Sequence, residues 1–401
     1  MTQPLSDPRA QEWKIVGLMA LGFGLVGIDR FLISPLFPTI AQELNLDYGD
    51  IGTIAGTLAL AWGVAALVMG NLSDRIGRRK VITGALILFT LLIGASGLAS
   101  GLTGLVLVRV VMGIADGAFT PPSISATLEA TPPRRHGLSI GIQQMMLPLC
   151  GLALAPLLVG YLLPHLGWRL IFVVFALPGA VLALLVWKVL PASAGPDLER
   201  NSFADWRAVL RFRNILVLMP LMLCWLTCLI TTSAFMPSYL IDFQKLSQEQ
   251  MGGVLAAIGV GSTIGTLALP ALSDLVGRKP VMIASTAGVA GSLWMLMQTG
   301  SDPTMLFVWL GMVHLFNNAC ITLTVGPICA ETVPPSLMAT ATGMVIACGE
   351  LGGGGLAPII AGQVADRFGI ERILWLPLGA MGVALILTCF LQETRWKAQN
   401  A

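Results

Sequence analysis

Four ionisable side chains interrupt stretches otherwise too apolar to hold them. Asp29 and Arg30 follow Gly22-Phe23-Gly24-Leu25-Val26-Gly27-Ile28 and precede Phe31-Leu32-Ile33. Arg109 and Asp116 stand seven residues apart, close to two helical turns, which puts them on one face roughly 10 Å apart along the axis. Charged groups in lipid cost several kcal/mol unless paired or facing water, so each is a functional candidate. A guanidinium stays protonated and presents a planar fork that matches a carboxylate; Arg30 and Arg109 therefore suit an anionic ligand. A carboxyl on which desolvation and cationic neighbours act in opposite directions can change protonation as a ligand occupies those cations, which makes Asp29 and Asp116 candidates for proton coupling. The competing reading is a buried ion-pair network that only fixes helix packing.

Other polar groups fall at similar depth. Gln143 and Gln144 are adjacent, so their side chains point about 100° apart and at most one faces a central cavity comfortably. Each is a ligand candidate or an interhelical hydrogen bond. His314 with Asn317 or Asn318 shares a helical face and would approach the same site from the second half of the chain; packing is the alternative for the histidine. Glu350, followed at once by Gly352-Gly353-Gly354-Gly355, is either a second-half proton site or cation ligand, or is held by a partner on a neighbouring helix.

The elements that must position these groups follow from composition. Of 401 residues 55% are hydrophobic and 11% charged, and the mean hydropathy is +0.82. Such a chain has lipid as its main solvent. About 20 apolar residues cross the hydrocarbon layer, and this ruler gives twelve spans: 14–38, 49–72, 80–99, 103–128, 137–162 and 169–190, then 215–240, 250–272, 280–299, 304–328, 338–363 and 371–391. The polar stretch 191–214 separates them as a linker, with 1–190 and 215–401 as two six-helix halves. Within it 205–213 reads as a short amphipathic surface helix. With both ends inside, seventeen of the 23 Lys and Arg lie on the cytoplasmic side and four outside, which sets the orientation. Residues 1–12 lack the apolar core of a removable signal peptide. The seven cysteines lack metal-ligand spacing and read as packing residues. No nucleophile with a base, metal cluster or phosphate loop argues for an enzyme, and the net charge of +2 does not suggest a nucleic-acid partner.

The halves repeat. Gly70-Asn71-Leu72-Ser73-Asp74-Arg75-Ile76-Gly77-Arg78-Arg79-Lys80 is echoed by Ser273-Asp274-Leu275-Val276-Gly277-Arg278-Lys279 at an offset of about 200. Glu129-Ala130-Thr131-Pro132-Pro133 answers Glu331-Thr332-Val333-Pro334-Pro335, and Ala155-Pro156 with Gly160 answers Ala357-Pro358 with Gly362. Parallel repeats of several spans are a common transporter plan, with the substrate site at midplane between them. The first of these stretches resembles the signature loop of the major facilitator superfamily, which implies an all-α membrane protein of twelve helices in two pseudo-symmetric six-helix bundles. Asp29-Arg30 and the run Arg109 to Gly117 resemble the organic-anion:cation symporter branch, in which the corresponding arginines engage substrate carboxylate and the acids carry protons; that branch usually has Glu where Asp116 stands. Gly151 to Pro156 is partly similar to the fifth-helix motif of drug:proton antiporters, with Ala155 in place of the expected Gly.

The resulting expectation is proton-coupled uptake of a small organic carboxylate by a monomer in the bacterial inner membrane, both termini cytoplasmic, without a bound cofactor or metal and driven by the proton gradient. Proton-coupled efflux of a drug or metabolite is the alternative. Asp74, Arg75, Gly77, Arg78, Asp274, Gly277 and Arg278 are expected to gate, the aspartates capping or pairing across the seam between the halves on the cytoplasmic face.

Overall fold

The computed structural model describes residues 8–132, 135–191, 203–334 and 337–394, with no side chains described for 66–76. The described residues form helices and no strand. Ten segments are long and apolar enough to cross a membrane. One of them, Leu138–Val189, runs for 52 residues and breaks at Gly167, where φ 69° and ψ 159° leave the helical region. It therefore makes two crossings, 138–166 and 168–189. Tyr48–Ile76, 29 residues and about 43 Å long, supplies one more. The twelve crossing helices among the described residues are α1 (Arg9–Leu44), α2 (Tyr48–Ile76), α3 (Arg78–Ser96), α4 (Leu102–Ala130), α5 and α6 (the two parts of Leu138–Val189), α7 (Arg213–Phe243), α8 (Gln248–Val276), α9 (Arg278–Gln298), α10 (Pro303–Thr332), α11 (Thr340–Phe368) and α12 (Trp375–Phe390).

Most helices outrun the apolar spans read from sequence: α1 continues six residues past 38 and α2 four past 72. Hydropathy senses only the part of a helix in hydrocarbon, whereas backbone hydrogen bonding carries the helix on into the polar layer. The surface helix also differs, covering Phe203–Val209 rather than 205–213. Among its described side chains Val209 is buried while Trp206 is exposed. Residues 192–202 of the linker lie outside the described residues.

Packing repeats between the halves. The long contacts of α2 along α4 recur as α8 along α10, and α1 against α5 recurs as α7 against α11. The halves meet where α2 lies on α11 and α5 on α8. Both seams are close backbone approaches that only glycine admits. A Cβ on Gly52 would overlap the Pro358 carbonyl oxygen, and one on Gly252 would stand 2.7 Å from that of Pro156. Wide π-helical turns occur at related places, Pro148–Leu154 in α5 and Glu350–Leu356 in α11. Each ends where Ala-Pro removes a backbone donor, since proline cannot continue the regular hydrogen-bond ladder.

Candidate functional site

The end of the molecule that holds the described chain ends carries the repeated loops. Gly77 and Gly277 take φ 98° and 112° between α2 and α3 and between α8 and α9, a region that a side chain makes costly. Each turn places an arginine at the start of the next helix. Arg78 pairs with Glu129; Arg278 pairs with Glu331 at 2.8 Å and with Asp274 at 2.6 Å. All three pairs therefore join residues of one half. The expectation that Asp274 pairs across the seam is corrected here: its partner is four residues away, and Glu331, the repeat equivalent of Glu129, takes the other side of the guanidinium. The side chains of Asp74 and Arg75 lie outside the described residues. Glu393 adds a tie that the sequence did not suggest, accepting the backbone N–H groups of Arg278 and Lys279 at 2.9 Å each.

The opposite, distal end joins the halves by hydrogen bonds. The backbone N–H groups of Tyr48 and Gly49, at the start of α2, donate to the two oxygens of Asp366 on α11 at 2.9 and 2.8 Å. The Tyr48 hydroxyl donates to Asp242 on α7 at 2.9 Å. Asp366 thus caps a helix of the other half. Losing a helix cap costs about 1 kcal/mol, so Asp366→Ala is expected to raise distal opening roughly five-fold, read as faster thiol labelling of a Ser238→Cys reporter, a position on α7 that is buried beside the distal cleft. Unchanged labelling would remove Asp366 from the rim closure.

At mid-depth α1 is interrupted near Leu32, just before Pro35 and Pro38, and the polar groups gather there. Arg109 of α4 is 1% exposed and donates from Nη1 to the main-chain carbonyl of Asp29 at 2.6 Å; its Nε and Nη2 have no hydrogen-bond partner. Arg30 turns instead toward the other half. Its Nη2 and Nη1 reach the Glu350 carboxylate at 2.8 and 3.3 Å, and its guanidinium lies 4.3 Å from the centre of the Trp62 ring. Arg30 and Arg109 both line a small cavity of about 20 Å³ between the halves, together with Ser34, Ile54, Leu58 and, from α7, Ser233. That is room for about one water, far below the roughly 300–1,000 Å³ common for small-molecule sites, so a ligand enters only if the surrounding helices part.

For three groups of residues the structure separates the readings that the sequence left open. Asp29, Arg30, Arg109 and Asp116 do not pair with one another: both oxygens of Asp29 and of Asp116 are buried without hydrogen-bond partners, and neither aspartate lines the cavity. Asp116 is nonetheless within electrostatic reach of Asp29, Arg30, Arg109 and Glu350. Gln143 is tied inside its own half, accepting from Thr127 at 2.6 Å and donating to Ser123 at 3.2 Å, while Gln144 is exposed. His314, Asn317 and Asn318 also serve packing, through Thr232 at 3.0 Å, the Trp225 carbonyl at 3.1 Å and Ser262 at 2.6 Å; none of the three lines the cavity. Sequence reading missed Trp62 and Ser34. No local pattern marks them, because an aromatic or a hydroxyl in an apolar span has packing and backbone bonding as its ordinary roles.

Two repeated helical bundles with a charged, mostly enclosed cavity at their seam define a polytopic membrane transporter. The chain belongs to the Major Facilitator Superfamily, whose family model matches residues 19–275 and 244–401. It is 29% identical over 369 residues to the 3-(3-hydroxy-phenyl)propionate transporter of Escherichia coli (strain K12), covering 90% of this chain and 89% of that one. It is 24% identical over 406 residues to an MFS-type efflux pump of Mycolicibacterium smegmatis (strain ATCC 700084 / mc(2)155), covering 96% and 94%. Among solved structures the nucleoside transporter NupG superposes with a TM-score of 0.81 at 14% identity, over 95% of this chain and all of the other. At that identity the likeness concerns the fold alone.

Proposed function

We propose that the protein imports a small aryl carboxylate together with protons, with the chain ends on the cytoplasmic side. The observation that carries this reading is the pair of guanidiniums on one enclosed cavity, of which Arg109 keeps Nε and Nη2 without a partner. A carboxylate placed there completes two charge-assisted hydrogen bonds and fills a position that the protein leaves unsatisfied. Ile54, Leu58 and Ile230 supply apolar walls for a ring, and the hydroxyphenylpropionate relative fits that chemistry.

Proton coupling falls to Asp29 and Asp116, buried beside Arg109 without hydrogen-bond partners of their own. A substrate anion that shares the field of Arg109 alters the balance holding charge on both. An anion entering with two protons moves net positive charge inward, worth about 2.3 kcal/mol per 100 mV. Neither step needs a cofactor.

The test is accumulation of labelled 3-(3-hydroxyphenyl)propionate by proteoliposomes under an imposed inward proton gradient. Asp116→Asn is expected to lose at least about nine-tenths of gradient-driven accumulation while counterflow exchange survives, because the amide keeps the size of the side chain but cannot release a proton at this site. Wild-type accumulation by both Asp29→Asn and Asp116→Asn would move coupling elsewhere. The efflux relative supports a second reading, export in exchange for protons; it predicts that the same gradient empties preloaded vesicles instead of filling them.

A further inference from the structure

We propose that Glu350 is an internal stand-in for the substrate carboxylate. In the empty protein it occupies Arg30 from the opposite half, and an entering carboxylate takes its place, so that loading the site and releasing the mid-depth tie between the halves are one event. The inference rests on the carboxylate reading above.

The geometry carries it. The Glu350 carboxylate addresses both terminal nitrogens of Arg30, at 2.8 and 3.3 Å, the two-pronged contact that a free carboxylate would make. The side chains are 8% and 7% exposed, so the pair is nearly out of solvent, and stripping one partner from such a pair is strongly unfavourable. Exchanging one carboxylate for another avoids that state, because Arg30 is never left bare. Trp62 covers one face of the guanidinium, which leaves its in-plane edge as the place of exchange, and that guanidinium borders the cavity.

Glu350 is also placed to leave. It opens the π-helical turn Glu350–Leu356 of α11, where a Cβ on Gly354 would stand 2.6 Å from its Oε2. The carboxylate therefore lies against the glycine backbone of its own turn, and a Cβ on Gly63 of α2 would stand 3.6 Å from the Glu350 Cβ. Arg30 belongs to α1 and Glu350 to α11, so breaking their bond removes a link between halves that the distal glycine seams and the Asp366 rim leave otherwise intact.

The experiment is calorimetric binding of 3-(3-hydroxyphenyl)propionate to purified wild-type protein and to Glu350→Gln, Glu350→Asp and Arg109→Ala. Removing the internal competitor is expected to tighten binding at least ten-fold in Glu350→Gln. Glu350→Asp, which keeps the charge but shortens the reach, is expected to fall between Glu350→Gln and wild type; it also serves if Glu350→Gln does not yield monodisperse protein. Equal or weaker binding by Glu350→Gln, with Arg109→Ala still losing it, overturns the exchange and leaves the carboxylate reading standing. Wild-type affinity in Glu350→Asp beside tighter binding in Glu350→Gln reduces Glu350 to a remote charge and overturns the exchange as well. No binding to wild type or to Glu350→Gln overturns both.

Discussion

Arg109→Ala is expected to abolish carboxylate binding, weakening it by at least about 100-fold. Hydrogen bonds to charged groups contribute about 1.5–3 kcal/mol each, and the two unpartnered nitrogens of Arg109 offer two of them; about 1.4 kcal/mol corresponds to ten-fold. The substitution also strips the Asp29 carbonyl of its donor at 2.6 Å and removes a cation that acts on both buried acids. Arg109→Lys is expected to recover only part of the loss, since an ammonium places one charge without the fork. Calorimetry on monodisperse protein decides: a wild-type dissociation constant in Arg109→Ala would remove this residue from the site.

Gly52→Val is expected to hold the protein open at the distal end. Its side chain would enter the volume of the Pro358 carbonyl, which belongs to the other half, and the simplest relief is for α2 and α11 to part. Reporter cysteines in the distal cleft should then label at least ten-fold faster, with uptake lost and the unfolding midpoint little changed. Gly353→Val provides the contrast. There the clash is with the Leu223 carbonyl of α7 within one half, where no rigid-body motion relieves it, so the expected result is low yield and a depressed midpoint. Matching behaviour of the two variants, both unstable or both silent, would contradict the assignment of the α2–α11 contact to a movable seam.

What the sequence disclosed depended on whether a signal was local. Arg30, Arg109, Asp29 and Asp116 stood out because charge in an apolar run needs a reason, and Glu129 and Glu331 were already matched by the repeat before they proved to be the partners of Arg78 and Arg278. Partners across the halves were different. Nothing in the spacing of residues 30 and 350 indicates that α1 and α11 face one another, so Glu350 was left between two roles. The Gln and His candidates failed for the opposite reason: a polar residue at mid-depth is visible in sequence, but the neighbour that satisfies it is not. Ser123 and Thr127 beside Gln143, and Thr232 beside His314, lie on other helices and carry no mark of their function. The π-helical turns were equally hidden, since an extra residue in one turn changes no composition.

Because the halves meet backbone to backbone at Gly52 and Gly252, with apolar side chains such as Ile359 beside them, the buried part of the distal contact offers little polar chemistry for another molecule to recognise. The distinguishing chemistry of that contact is confined to its edge, where Tyr48, Asp242 and Asp366 come together from three helices and both halves. An antibody fragment raised against this edge would recognise a surface that exists only while the halves touch. It would serve as a reagent for arresting one conformation, and a search for such reagents is best directed at these three residues.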